Sequence, residues 1–187
     1  MNLIHNHICS SSKWAAYVER ELLPEVLDGT DLGTDVLELG PGPGVTTRLL
    51  AERVPRLTAL EIDGKYAERL RAELGETVQV VHGDGTSMPL PDASFDGAVC
   101  LTMLHHVPSP QLQDRLFGEA CRVLRPGGVF AGTDSRPNTR FRLIHLFDTM
   151  VPVPPDTLEG RLASAGFRDM RVTATARRVF FRARKPL

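Results

Sequence analysis

The stretch Val36-Leu37-Glu38-Leu39-Gly40-Pro41-Gly42-Pro43-Gly44-Val45 reads as a buried strand, a glycine-punctuated turn and the first residue of a helix. Glycine at Gly40, Gly42 and Gly44 permits positive φ and lets a ligand lie against bare backbone, while the helix that follows offers its positive end. A nucleotide is the general inference. A dinucleotide turn needs Gly-x-Gly-x-x-Gly, with amide donors around the pyrophosphate. Here the third glycine comes one residue early, Val45 holds its place, and Pro41 and Pro43 carry no amide hydrogen. The turn suits close approach by a ligand with one carboxylate and no phosphate.

Outward from this turn, strand and helix alternate. Asp35 to Leu39, Leu57 to Ile62, Thr77 to His82, Gly97 to Leu101 and Val129 to Thr133 read as strands. Between them, Val45 to Val54, a segment capped by Asp63 and carrying Tyr66, Ala67, Leu70 and Leu74, and Gln111 to Leu124 read as helices. Ahead of the turn, Ser12 to Leu27 has helical spacing, with Ser11 or Ser12 as cap and a kink or restart expected at Pro24. Beyond Ser135, Arg140 to Met150 reads as an apolar helix, and Asp156-Thr157-Leu158-Glu159 as a capping box for another. Met170 to Ala176 and Val179 to Arg184, separated by Arg177-Arg178, should pair antiparallel and add an antiparallel edge strand. The pattern predicts an α/β fold, a mostly parallel sheet with helices on both faces, in a single domain over 1–187.

Composition agrees with one ordinary globular unit: 187 residues, 42% hydrophobic and 24% charged. No apolar run is long enough to span a bilayer, and the N-terminus lacks a basic segment followed by an apolar one, so a cytoplasmic location is expected. Cys9, Cys100 and Cys121 form no CxxC pair. The net charge of −1 conceals an asymmetry. Through Ser135 there are 11 basic residues against 19 acidic; from Arg136 onward, 11 against 4. Arg177, Arg178, Arg182, Arg184 and Lys185 fall largely on the terminal hairpin, where exposed cations discourage edge-to-edge association, and no nucleic-acid partner is expected.

Two acidic residues narrow the ligand. Glu61 closes the second strand, where a carboxylate can accept both ribose hydroxyls of a nucleoside, and Asp84, after the third, can accept from an adenine amino group.

With the motifs VLELGPGPG, ALEID, VHGDGTSMPLPDASFD and CLTMLHHV in order, followed by EACRVLRPGGVF, the chain resembles the class I S-adenosylmethionine-dependent methyltransferases over nearly its whole length. The resemblance implies a Rossmann-like fold of seven strands, the last antiparallel, and S-adenosylmethionine as cofactor with S-adenosylhomocysteine as product. It implies that Glu38, Gly40, Gly42 and Gly44 line the methionyl portion, Glu61 binds the ribose and Ile62 flanks adenine. Asp84 and Gly85 would meet the adenine edge, and Leu101 and Thr102 the methyl-transfer region. Residues 1–30 would form a helical extension over the cofactor, where Trp14 and Tyr17 either close the site or pack as core. Cys9, with His5-Asn6-His7, reaches the pocket only if this segment folds across it.

Transfer by in-line displacement needs positioning more than a catalytic group. If a base acts, His105 or His106 is the candidate, the alternative being support of their loop. No metal centre is expected, because His5, His7, His105 and His106 lack a zincin-type spacing. The short cover over 135–156, with Phe141, Leu143, Ile144, Leu146, Phe147, Met150 and Val151, either lines a pocket for a small hydrophobic methyl acceptor or packs onto the sheet. Arg136, Arg140 and Arg142 either meet an acidic group on that acceptor or face solvent. Rival readings are a cofactor-binding protein without transfer activity and a nicotinamide-dependent oxidoreductase.

Overall fold

The structure, a computed structural model, describes residues 7–146 and 148–187. Its centre is β1 (Asp35–Leu39), paired in parallel with β2 (Arg56–Glu61) on one side and β4 (Phe95–Leu101) on the other. With β3 (Val78–His82), β5 (Leu124–Ser135), β6 (Arg168–Ala174) and β7 (Arg178–Arg184), the strands form one seven-stranded sheet in the order β3-β2-β1-β4-β5-β7-β6. Only β7 runs against the others.

Side chains alternate along each strand and so feed two cores. From β1, Leu37 and Leu39 enter a cluster with Phe117, Phe130, Phe167 and Phe181, beneath α4 (Pro110–Val123) and α6 (Pro155–Ser164). Val36 enters the opposite cluster with Val18, Leu22, Leu50 and Leu70, beneath α1 (12–27), α2 (Val45–Ala51) and α3 (Gly64–Leu74). Burial on both faces is why the central strands carry near-continuous apolar runs.

Ser11 caps α1 by accepting from the Trp14 N–H at 3.2 Å. The irregularity expected at Pro24 is a π-helical turn over Val18–Leu22, in which the Leu23 N–H donates to Val18 O. Pro24 has no N–H to give and its ring needs room in the preceding turn, which the wider loop provides. Asp63 caps α3 as expected, accepting from the Lys65 and Tyr66 amides.

Three expectations are corrected. The antiparallel β7 is not an edge strand but lies between β5 and β6, paired with both. Its basic residues therefore do not guard an edge: Arg182 donates to Gly29 O, Arg184 to Gly127 O, and Lys185 to Arg122 O and Leu124 O. The capping box at Asp156 does not form. Pro155, with φ preset and no amide to satisfy, starts α6 two residues earlier, and the Thr157 hydroxyl donates to Pro154 O. The helix expected over Arg140 to Met150 is only α5 (Thr139–Ile144), capped by Asn138. The following chain is bound elsewhere, the Val151 N–H donating to His105 O and the Gln113 amide to Val151 O.

Asp96 fixes the start of the sheet. Its Oδ2 accepts the Thr34 and Asp35 amides at 3.0 and 2.9 Å, and its Oδ1 pairs with Arg125. These bonds, the Asp35 amide foremost, hold its carboxyl below the usual carboxylate range. A depressed folded-state pKa contributes stability above the unfolded-state value and loses it as pH falls through the folded-state value. Asp96→Ala should therefore cost about 1 to 2 kcal/mol in urea unfolding at neutral pH and make stability fall less steeply below about pH 4. An acid limb that the substitution leaves unchanged would contradict this assignment.

Candidate functional site

At the C-terminal ends of β1, β2 and β4, where the strand order reverses, a cavity of about 410 Å³ opens. The Gly40 N–H donates to Leu60 O, and Glu61 does the rest of the anchoring. Its side chain, 5% exposed, accepts the Gly42 amide on Oε2 and the Asp63 amide on Oε1, both at 2.9 Å. One carboxylate thus ties the glycine turn to the end of β2 and still lines the cavity. Beside it Ile62 lines the cavity while 64% exposed. Asp84 is held in a local turn by accepting the Thr86 amide at 2.8 Å. Gly85 next to it has no room for a larger residue without moving Leu116, which a Cβ would meet at 3.1 Å.

Leu101 and Thr102 line the opposite wall. Thr102 has a φ of 56°, an uncommon and costly conformation for a β-branched residue, held in place by its N–H to Thr133 O. Of the expected contacts, Gly40, Gly42, Glu61, Ile62, Asp84, Gly85, Leu101 and Thr102 are brought together on the cavity. Glu38 and Gly44 are not on its lining. Gly44 caps α2 with a φ of 81°, and a Cβ there would lie 2.3 Å from Leu70 Cδ2, so it serves the close packing of α2 on α3.

Glu38 lies buried at 2% exposure on the Val36 side of β1. Its Oε2 and the Thr47 hydroxyl are buried with no hydrogen-bond partner among the described residues. Burial pushes the Glu38 carboxyl up to about 8, opposed by the Thr47 hydroxyl, which lies near it without reaching good hydrogen-bond geometry, and helped by the charge of Glu61. The cavity itself is lined by Glu61, Asp63, Asp84 and Asp148 and, among the described residues, by no lysine or arginine. Trp14 and Cys9 reach it from the N-terminal segment, while Tyr17 instead accepts from Arg178 Nε at 3.0 Å. Burial pushes the Cys9 thiol up to about 11, which leaves it protonated and unreactive.

The two neighbouring histidines part ways. His106 lines the cavity; His105 is buried behind it at 2% exposure. His105 Nδ1 meets Asp134 Oδ1 at 2.5 Å, and Asp134 Oδ2 accepts the His105 amide at 2.8 Å. Burial alone would raise the Asp134 carboxyl, but His105 and the local hydrogen bonds hold it below the usual range. On the other side, His105 Nε2 lies 3.0 Å from Nε2 of His145, whose Nδ1 meets Phe141 O at 2.7 Å. Gln113, fully buried, donates to Leu104 O and to Val151 O, clamping the histidine turn to the chain that follows α5. Sequence reading missed Asp134, His145 and Gln113, because nothing local signals contacts across 29 to 40 residues. His5 and Phe147 lie outside the described residues, and His7 is exposed.

The cover over 135–156 meets the cavity through Asp148 and Thr149. Of its described apolar side chains, Phe141, Leu143, Leu146, Met150 and Val151 do not line it: Leu143 and Leu146 are 61% and 54% exposed, and Phe141 packs edge-on against His105. Arg136 is spent on Thr175 O.

Residues 37–132 match the family described as "Methyltransferase domain". The chain belongs to this methyltransferase domain family. A Mycolicibacterium smegmatis protein named as a probable S-adenosylmethionine-dependent methyltransferase is 39% identical over 98 residues, which is 52% of this chain and 37% of that protein. An uncharacterised methyltransferase of Mycobacterium tuberculosis is 32% identical over 137 residues, 71% of this chain and 66% of that one. The chain therefore spans less than two thirds of either relative. Among solved structures, Haemonchus contortus phosphoethanolamine N-methyltransferase 2 in complex with S-adenosyl-L-methionine shares the fold at a TM-score of 0.74 and 16% identity, over 95% of this chain and 53% of that one.

The buried Glu38 of this methyltransferase domain yields a sign-definite prediction. Its folded-state pKa is raised, so the folded state holds a proton that the unfolded chain releases near pH 4.5, and stability falls as pH rises from there to about 8. Glu38→Gln, which cannot ionise, should flatten that decline and leave the ligand-free variant more stable than the parent above about pH 8. Thermal unfolding across this range measures it; equal slopes for parent and variant would mean Glu38 ionises freely.

Proposed function

We propose that the chain is an S-adenosylmethionine-dependent methyltransferase acting on a small-molecule acceptor. The observation that carries this reading is the acidic, cation-free lining of a cavity built on a proline-containing glycine turn. A pyrophosphate would meet four carboxylates and too few amides there; a sulfonium meets attraction from every side. The unpartnered Glu38 Oε2 beneath the turn adds a carboxyl that a neighbouring cation would help to ionise. Glu61 would take the ribose hydroxyls with the lone pairs its two amide donors leave over, Ile62 would cover the adenine face, and Asp84 would accept from the adenine amino group.

When bound, the cofactor supplies a methyl group already activated on sulfur. The chain's part is to align an acceptor opposite the sulfur and keep water out. The wall formed by Met103, Val107, Leu112 and Leu116 is apolar and adjoins Leu101 and Thr102. It supports a hydrophobic acceptor, in place of Phe141 and Leu143 of α5, which do not line the cavity. His106, on the same wall, is placed to hold or receive a proton from that acceptor.

Calorimetric titration tests the reading. The chain should bind S-adenosylmethionine and S-adenosylhomocysteine and fail to bind NADH, and Glu61→Ala, folded by circular dichroism, should bind the cofactor about ten- to a hundredfold more weakly, the worth of one charge-assisted hydrogen bond. NADH binding alone, or unchanged affinity in the variant, would contradict it.

A further inference from the structure

Three imidazoles converge behind the cavity wall. The ring centroids of His105 and His106 are 4.2 Å apart, those of His105 and His145 4.8 Å, and those of His106 and His145 5.4 Å. One nitrogen from each lies within 4.8 Å of the other two. Their partners dictate which nitrogens carry hydrogen. Asp134 Oδ1 and Phe141 O can only accept, so His105 and His145 both present Nδ1–H to them. Their Nε2 atoms then face each other 3.0 Å apart as two lone pairs. Two lone pairs at that distance repel unless something positive lies between or beside them.

We propose that His105, His106 and His145 form a binding site for one divalent transition-metal ion of the zinc type, at the wall of the cavity. Three features favour a metal over a single shared proton. A third imidazole completes the set of three protein ligands that leaves a fourth position open, and an all-imidazole set suits zinc, copper, nickel or iron and not magnesium or calcium. Asp134 stands behind His105 as a carboxylate orienting a ligating histidine, and the Phe141 carbonyl does the same for His145. Finally, Gln113 and the Val151 amide fasten the turn bearing His105 and His106 to the segment that follows His145, so the ligands are held from two sides. His106 alone of the three lines the cavity, which puts the ion where it can hold an oxygen of an acceptor; that role rests on the methyl-transfer reading, whereas binding of the ion does not.

The test uses the full chain without a histidine tag, stripped with a chelator and titrated with cobalt(II) chloride. One ion should bind per chain, with the intense visible absorption of a low-coordinate cobalt site, and zinc chloride should displace it. His145→Ala and His106→Ala should each weaken uptake at least tenfold, and Asp134→Asn, which touches no metal, by about ten- to a hundredfold. His145→Gln, closer in volume, serves if the alanine variant does not fold. No cobalt uptake by the parent chain would leave the two Nε2 atoms sharing a proton and overturn the site, as would an unchanged spectrum in a folded His145 variant. S-adenosylhomocysteine calorimetry on the same preparation separates the two readings. Cofactor binding without cobalt uptake overturns the metal site alone; cobalt uptake without cofactor binding overturns only the methyl-transfer reading.

Discussion

The arrangement of the site depends on one buried carboxylate. Glu61 sits at the end of β2, almost out of water, and a desolvated charge there would be costly without donors. The Gly42 and Asp63 amides are those donors, one on each oxygen. In taking them, Glu61 fixes the glycine turn of β1 against the start of α3 and turns its remaining lone pairs to the cavity. Pro41 and Pro43 fit the same logic. They stiffen a turn that needs few amides of its own, because the essential one belongs to Gly42. Parallel pairing of Leu39 with Leu60 brings the ends of β1 and β2 level, so that this single side chain can reach both.

Around that carboxylate the site concentrates negative charge and leaves it unneutralised. Arg48 and Arg69 lie close, yet they donate to the Pro43 carbonyl from outside the cavity and do not line it. Glu38 beneath the turn keeps its proton chiefly because it is away from water, with the charge of Glu61 adding a smaller push. A cationic ligand relieves this repulsion and an anionic one adds to it. Of the basic residues that offset the acidic half of the chain, Arg136, Arg182, Arg184 and Lys185 are tied to backbone carbonyls. The asymmetry of charge along the sequence thus reflects two separate tasks, a cation-seeking cavity and the fastening of a terminal hairpin.

The sheet and most of the cavity were legible in the sequence because both are built from local signals. Alternating runs such as Val36 to Leu39, a cap such as Asp63 and a glycine turn announce themselves within ten residues. The place of β7 was not legible, since antiparallel pairing of the last two strands is equally compatible with either one lying next to β5. Gly44, assigned to the ligand from the turn, and Glu38, assigned by resemblance, do not line the cavity; close packing against Leu70 and burial under the turn account for them. Leu143 and Leu146, read either as pocket lining or as packing on the sheet, are exposed, and Phe141 packs edge-on against His105, because the segment after α5 is held by His105 O and Gln113 instead of continuing as a helix. The Asp134–His105–His145 chain was beyond sequence reasoning altogether, for its members come from β5, the turn after β4 and the end of α5.

The central claim is that Glu61 and Asp84 read a nucleoside whose sulfur end lies over the glycine turn. A crystal structure of the chain grown with S-adenosylhomocysteine tests this most directly. The account predicts both ribose hydroxyls on the Glu61 carboxylate, adenine between Ile62 and the Asp84–Gly85 edge, and the sulfur beside Gly40 and Thr102. A nucleoside bound elsewhere, or bound here with Glu61 turned away from the ribose, would contradict it.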